Sequence, residues 1–175
     1  WQGRGDVNSR SIGIEIVNGG HDFGLPPYPA VQIEAVCALL GDIMGRWRLG
    51  PHQVVGHSDI APARKADPGE HFPWAQLAQL GLALEPGVSS EPGPPRWREG
   101  MDGDMVLAMQ ETLAAIGYGV PQSGEFDAET ATVLAAFQRR FRPARIDAAL
   151  DDDTAARLAD IAAQMAQARI AKLRT

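Results

Sequence analysis

Several common features are absent from this sequence, and each absence excludes a class of protein. Cys37 is the only cysteine, so an internal disulfide is impossible, and its helical surroundings predict a small buried side chain. No apolar run approaches the roughly 20 residues that a membrane-spanning helix needs. The net charge of −6 excludes a basic surface that would hold nucleic acid or an anionic membrane. What remains is a 175-residue chain with the composition of a globular protein.

A stretch rich in proline, glycine and serine, residues 85–95, divides the chain into two parts. It has no apolar periodicity, so we predict a semi-extended linker. The predicted domains are residues 1–84 and 101–175, with the linker at 85–100, and we expect them to be loosely joined and to fold separately. Because the chain begins with Trp1 and shows no signal peptide, we expect a processed chain or one that starts partway into a longer protein.

Residues 54–69, VVGHSDIAPARKADPG, carry the most informative side chains of the first part. Its two prolines favour an irregular loop over a helix or a long strand. An imidazole and a carboxylate suit a zinc ion, which makes His57 and Asp67 candidate ligands. Lys65 would share a face with Asp67 in an extended segment, where a cation can stabilise an oxyanion.

The same stretch has a plainer interpretation. A histidine at a strand end followed by a charged loop is typical of a surface turn, and two ligands are one fewer than a catalytic zinc usually has. The other three histidines, His21, His52 and His71, are interpreted as exposed and titrating surface residues.

Residues 11–17, SIGIEIV, alternate between an apolar face and a mixed face, and this pattern predicts a strand. On pattern alone, Glu15 indicates a solvated outer face. Apolar residues then recur at helical spacing from Ile33 to Trp47 and predict a helix packed on the sheet. A short strand at 53–56 should carry His57 to its end, and a short helix is predicted at 73–80.

The second part predicts three amphipathic helices around one small core. The first of them ends at Gly117. The other two begin with a repeated pattern, FDAETATVL at 126–134 and LDDDTAARL at 150–158. Asp127 and Asp151 are the predicted N-caps of these two helices. Residues 168–175 are expected to fray.

Residues 56–69 together with FPW at 72–74 resemble the signature of the type-2 N-acetylmuramoyl-L-alanine amidases. Residues 8–18, NSRSIGIEIVN, look like the central strand of the same family. Many members have glycine in place of Ala63. The resemblance implies zinc-dependent hydrolysis of the amide bond between N-acetylmuramic acid and L-alanine in peptidoglycan.

The resemblance also implies roles for particular residues. His57 and Asp67 would bind zinc, Glu15 would accept a proton from the attacking water, and Lys65 would stabilise the tetrahedral oxyanion. The family's first zinc ligand is a histidine on an earlier strand, whereas none of the fourteen residues before Glu15 is a histidine. We therefore expect that this chain is the C-terminal part of a whole amidase.

The second part resembles the peptidoglycan-binding domain of many cell-wall hydrolases. The resemblance rests on residues 109–118, 124–130 and 137–138. A three-helix bundle of no particular function is the alternative. If the resemblance holds, this domain raises the local substrate concentration by tethering, and its removal should spare the cleavage of small soluble muropeptides.

The sequence as a whole thus predicts an α/β amidase domain, of which the C-terminal portion is present as a mixed sheet flanked by helices, followed by an all-α domain. Its partners would be peptidoglycan or muropeptides and the missing N-terminal segment of the amidase, with no nucleic acid. The expected location is the cell envelope, as a periplasmic protein, with the cytoplasm as the alternative. A non-catalytic peptidoglycan-binding protein and a zinc peptidase acting on wall peptides remain competing functions.

Overall fold

The computed structural model describes residues 1–88, 91 and 93–173, with only the backbone of residues 172 and 173. Ser89, Ser90 and Pro92 of the predicted linker and residues 174–175 of the predicted frayed end lie outside the described residues. The described chain contains six α-helices, which are α1 Ala30–Trp47, α2 His57–Ile60, α3 Trp74–Gln79, α4 Asp104–Ile116, α5 Ala128–Phe141 and α6 Asp152–Leu173. Short 3-10 turns occupy Asn8–Arg10, His21–Phe23 and Pro51–Gln53.

The predicted mixed sheet is wrong for the described residues, which contain no strand. Their only β-pairing consists of two isolated bridges, Trp97 with Leu150 and Asp102 with Glu125. A strand is stabilised by a ladder of backbone hydrogen bonds with a neighbour, and no such bond joins residues 12–17 to another described part of the chain. The alternating hydrophobicity of residues 11–17 is therefore not sufficient to form a strand, because no neighbouring strand pairs with this segment in the described chain. The strand predicted at 53–56 is absent for the same reason.

Residues 11–17 nevertheless bury part of the expected apolar face. Ile14 and Ile16 pack against the core that α1 forms, whereas Ile12 and Val17 are exposed. The buried residues of this core are Ile33, Val36, Cys37, Leu40, Met44, Phe72, Trp74, Leu77 and Ala83. The helices predicted here are confirmed as α1 and α3, and Cys37 is buried as expected. Trp47, at the predicted end of the apolar stripe, is instead exposed.

The second half consists of α4, α5 and α6 around its own core, as the sequence predicts. Asp127 Oδ1 accepts a hydrogen bond from the Thr130 N–H at 2.7 Å, and Asp151 Oδ1 accepts one from the Thr154 N–H at 2.8 Å. Both predicted N-caps are therefore confirmed. Gly117 ends α4 with a φ of +140°, a conformation that favours glycine.

The two halves are in direct contact, so the expectation of loosely joined domains does not describe this structure. The Gln2 N–H donates to the Gly117 carbonyl at 2.7 Å, and Trp1 and Leu84 pack against the core of the helical half. The start of the predicted linker lies on α6, where Gln164 Nε2 donates to the Glu85 carbonyl at 3.0 Å. None of the helices in the described chain has the length and apolar character required to cross a membrane.

Candidate functional site

The candidate site is built around α2, the single turn that begins at His57. Gly56 is the N-cap of this turn, and its N–H donates to Asp59 Oδ2 at 2.7 Å. An acidic residue at the third helical position that reaches back in this way satisfies a donor left free at the helix start. A side chain at Gly56 would meet Pro68 Cδ at 3.0 Å and Asp59 Oδ2 at 3.4 Å, so the close packing favours glycine.

Two hydrogen bonds join α2 to the loop that carries Asp67. His57 Nδ1 lies 3.0 Å from Asp67 Oδ2, and the Ser58 N–H donates to the Asp67 carbonyl at 2.9 Å. The sequence interpretation put His57 at a strand end, whereas it stands at the start of a helical turn. Both side chains are substantially exposed, at 42% for His57 and 60% for Asp67. The structure therefore brings together the two predicted ligands and leaves them accessible.

The arrangement of His57 and Asp67 fits a zinc ion in part. Imidazole nitrogen and carboxylate oxygen are ordinary zinc ligands, and two ligand atoms on one tetrahedral zinc lie about 3.3 Å apart when each bond is about 2.0 Å. The observed 3.0 Å separation is close to this value. No group of three His, Cys, Asp or Glu side chains that could hold a metal occurs among the residues that the structure describes. The pair could thus supply two of the three protein ligands that a catalytic zinc usually has.

The two predicted catalytic side chains lie in different settings. Glu15 is exposed, whereas its neighbours Ile14 and Ile16 are half-buried against the core of the first half. Lys65 is half-buried. Its backbone N–H donates to the Ala61 carbonyl at 3.0 Å and closes the turn after α2. Their catalytic roles remain predictions.

The loop after Asp67 rests on an aromatic cluster. The Tyr28 hydroxyl donates to the Pro68 carbonyl at 2.8 Å. Burial and the nearby charge of Asp67 raise the pKa of Tyr28 above its ordinary value. The rings of Tyr28 and Phe72 are 5.3 Å apart, and those of Phe72 and Trp74 are 4.7 Å apart, all in edge-to-face contact. This cluster packs against the loop, while the His57–Asp67 pair remains exposed at the surface.

Sequence reasoning missed the most deeply buried charged residue of the site, Asp59. Its side chain is 1% exposed and forms an ion pair with Arg140 of α5, with Arg140 Nη1 3.0 Å from Asp59 Oδ2. The Tyr118 hydroxyl donates to Asp59 Oδ1 at 2.6 Å. Complete burial and the charge of Asp59 raise the pKa of Tyr118 well above its ordinary value. No local pattern signals this network, because its members are 59 and 81 positions apart in the sequence.

A second ion pair between the halves involves Glu70. Its carboxylate accepts from Arg139 Nε at 3.1 Å and lies 2.8 Å from His21 Nε2. Burial acts to raise the pKa of Glu70, but a backbone hydrogen bond and the charges of Arg139 and His21 outweigh it, so the pKa is lowered. Arg139 and Arg140, consecutive residues of α5, thus both contact the first half.

None of the remaining histidines belongs to a group of three possible metal ligands in the described part of the chain, and they are less free than the sequence predicts. His21 and His71 are exposed, as expected, but each has a partner: Glu70 for His21 and the Leu25 carbonyl for His71. His52 is half-buried in a 3-10 turn.

Comparisons with known proteins match the two halves of the chain to two different families. Residues 1–70 match the family model described as N-acetylmuramoyl-L-alanine amidase, and residues 102–158 match the one described as "Putative peptidoglycan binding domain". The first half of the chain is therefore similar to the amidase family, and the second half is similar to the peptidoglycan-binding family. The protein is homologous to amidases of this family.

Individual relatives match most of the chain or less than half of it. The chain is 36% identical over 161 residues to the N-acetylmuramoyl-L-alanine amidase AmiD of Escherichia coli (strain K12), a match that covers 89% of this chain and 58% of the relative. It is 42% identical over 77 residues to the 1,6-anhydro-N-acetylmuramyl-L-alanine amidase AmpD of Enterobacter cloacae, with 44% of this chain and 39% of the relative covered. The chain thus spans little more than half the length of AmiD.

Two solved structures resemble the fold over 79% of the chain. One is AmiD from E. coli in complex with the substrate anhydro-N-acetylmuramic acid-L-Ala-D-gamma-Glu-L-Lys, at a TM-score of 0.66 and 34% identity, with 53% of that chain covered. The other is AmpDh3 from Pseudomonas aeruginosa, at a TM-score of 0.62 and 33% identity, with 55% covered.

Proposed function

We propose that this protein takes part in hydrolysis of the amide bond between N-acetylmuramic acid and L-alanine in peptidoglycan or muropeptides. The observation that supports it most strongly is the His57–Asp67 pair, 3.0 Å apart and accessible, in a segment that matches the amidase family. The relative whose structure contains an anhydro-muropeptide substrate suggests the same substrate class for this chain.

His57 and Asp67 are proposed as zinc ligands because their donor atoms and spacing suit a tetrahedral site. Zinc, when bound, would supply a Lewis acid beside the scissile amide. The Glu15 carboxylate would take the proton from the attacking water, and Lys65 would donate to the oxygen that becomes negative in the transition state. Substrate would reach the pair directly from solvent, since both ligands are exposed.

The helical half, residues 101–175, is proposed to bind peptidoglycan. Its match to the peptidoglycan-binding family supports this role. Residues 1–84 are proposed as the amidase portion. A protein with such a substrate would act in the cell envelope, and we propose the periplasm as its location.

A non-catalytic peptidoglycan-binding role is the second candidate. It is favoured by one observation, the lack of a third ligand beside His57 and Asp67 in the described part of the chain. Two ligands hold zinc more weakly than three, so binding without turnover is the natural outcome if no further ligand joins them.

Product analysis tests the proposal directly. The natural full-length protein is incubated with zinc and an anhydro-muropeptide, and the products are identified by mass spectrometry. An amidase releases a peptide whose N-terminal L-alanine carries a new free amine. Cleavage within the peptide would indicate a zinc peptidase, and binding without any product would indicate the non-catalytic role.

Substitutions in the same protein test the residue assignments. His57→Ala and Asp67→Ala should each abolish zinc retention, because each removes one ligand. Glu15→Gln should keep the zinc while turnover falls by about 10²–10⁴-fold, and Lys65→Met should keep it with a loss of about 10²-fold or more. Stoichiometric zinc in either ligand variant, measured by elemental analysis, would refute that ligand. Normal turnover of Glu15→Gln would show that Glu15 is a solvated surface residue and does not accept the proton from the attacking water.

A further inference from the structure

The carboxylate of Asp59 joins α2 to the helical half. Its Oδ2 accepts from the Gly56 N–H at 2.7 Å and from Arg140 Nη1 at 3.0 Å, while its Oδ1 accepts from the Tyr118 hydroxyl at 2.6 Å. The bond to Gly56 fixes the start of the turn on which His57 stands. The other two bonds come from the helical half.

Arg140 contacts the first half on both sides of His57 along the chain. Its Nη2 donates to the Val54 carbonyl at 2.9 Å, three residues before His57, while its Nη1 contacts Asp59, two residues after. Its guanidinium group also stacks on the Trp74 ring, 3.8 Å from the ring centre. A planar group with several donors is suited to such a multiple contact. One side chain of α5 therefore fixes the backbone that leads into and out of the candidate ligand.

We propose that Arg140 and Tyr118 are positioning residues for His57, so that the helical half holds the candidate metal ligand in place in addition to any binding of the cell wall. The proposal rests on the proposed function in one respect, the role of His57 as a ligand. Without Arg140, the Asp59 carboxylate would be a buried charge with no counter-ion, which is strongly unfavourable. The carboxylate would then leave its place, the Gly56 N–H would lose its acceptor, and the turn that orients His57 would loosen.

The chain contains a matched control for Arg140. Arg142, two residues further along, is also buried, with a side chain that is 2% exposed against 4% for Arg140. It forms a buried ion pair with Asp151, with Arg142 Nη1 2.6 Å from Asp151 Oδ2, inside the helical half. Loss of Arg142 should destabilise the protein by a comparable mechanism without contact with α2.

The experiment compares Arg140→Met with Arg142→Met in the full-length protein. Hydrogen exchange of the backbone amides at 56–61 is measured without metal, and the affinity for zinc is measured by titration. In Arg140→Met we expect exchange at 56–61 to accelerate by at least about tenfold more than exchange in α5, and zinc affinity to fall by about 10–100-fold, the usual range for residues that orient a ligand. In Arg142→Met exchange at 56–61 should accelerate no more than exchange in α5 does, and zinc affinity should stay within about twofold of the wild type.

Two smaller substitutions test the same proposal if one of the methionine variants does not fold. Tyr118→Phe removes only the hydroxyl that donates to Asp59, and Thr130→Val removes a fully buried hydroxyl that accepts from Gln110 Nε2 at 2.9 Å. Exchange at 56–61 that accelerates more than exchange in α5 in Tyr118→Phe, but not in Thr130→Val, would support the proposal. The same ratio of the two exchange rates in both variants, or equal zinc affinity in variants that bind zinc, would overturn it.

The two readouts separate this inference from the proposed function. If the wild type binds no zinc but exchange at 56–61 depends on Arg140, positioning of this turn stands and the metal role of His57 fails. If the wild type binds zinc and neither readout depends on Arg140 or Tyr118, the metal role stands and the positioning is refuted.

Discussion

The two halves of this chain use ionisable side chains in different ways. In the helical half, Asp127 and Asp151 cap helices within their own neighbourhood, and their hydrogen bonds lower the pKa of each. In the first half, Asp59 caps a turn of only four residues, and its remaining bonds come from the other half. A short turn has little helical stability of its own. The candidate site therefore depends on long-range contacts, whereas the caps of the helical half depend on local ones.

The largest expected effect comes from two matched substitutions, Asp59→Asn and Asp151→Asn. Each removes a carboxylate from a buried arginine, and breaking a buried ion pair costs about 3–5 kcal/mol of folding free energy. Arg142 keeps a second carboxylate, Asp147 at 2.9 Å, whereas Asp59 is the partner of Arg140 in its ion pair. We therefore expect the larger loss in Asp59→Asn. Urea unfolding of the two variants measures the loss of folding free energy in each. Equal losses would show that Asp147 does not compensate Arg142 for the missing Asp151 carboxylate.

Tyr118 gives a smaller effect that depends on pH. Its pKa is raised in the folded protein, so its contribution to stability is complete below the ordinary tyrosine pKa of 10.0 and is lost as pH rises above that value. Tyr118→Phe should lower the free energy of unfolding by about 1–3 kcal/mol at pH 7, the value of a hydrogen bond to a charged group. The difference between the two proteins should shrink above pH 10. A constant difference up to pH 11 would show that the pKa of Tyr118 is the same in the folded and the unfolded protein.

The smallest effect is expected from a change that is confined to the helical half. Asp127→Ala removes the N-cap of α5 and should cost about 1 kcal/mol. Because the pKa of Asp127 is lowered by its bonds to Thr130, this contribution should be present at pH 7 and disappear as pH falls below 4. Asp127→Asn, which caps nearly as well, is the control. Hydrogen exchange at 56–61 should accelerate no more than exchange in α5 in either variant, and a larger change at 56–61 would contradict the contrast between the halves.

Local signals in the sequence were sufficient for the helical half. Apolar spacing predicted α4, α5 and α6, and the repeated Asp-x-x-Thr pattern predicted both caps, because each helix closes its hydrogen bonds within itself. The same reasoning predicted α1 and α3 in the first half. It failed at 11–17 and 53–56, where extended structure needs a partner strand that no local pattern supplies.

The site was predictable in part. The His57–Asp67 pair was found from residue type and a family resemblance, and the structure places the two side chains in contact. Asp59 was passed over as one polar residue of a loop. Its burial follows only from the docking of Arg140 and Tyr118, which are far away in sequence. The direct contact also reverses an expectation: because Arg140 holds α2, removal of the helical half should impair cleavage of small muropeptides as well as of insoluble wall.

The contacts of Asp59 predict that the two halves form one cooperative unit. The most direct test is equilibrium unfolding of the whole chain in urea, with hydrogen exchange followed in two segments, residues 54–61 around the site and residues 128–141 of α5. If the halves are one unit, both segments should lose protection at the same urea concentration. Loss of protection at 54–61 at a clearly lower concentration, with α5 still protected, would contradict this prediction.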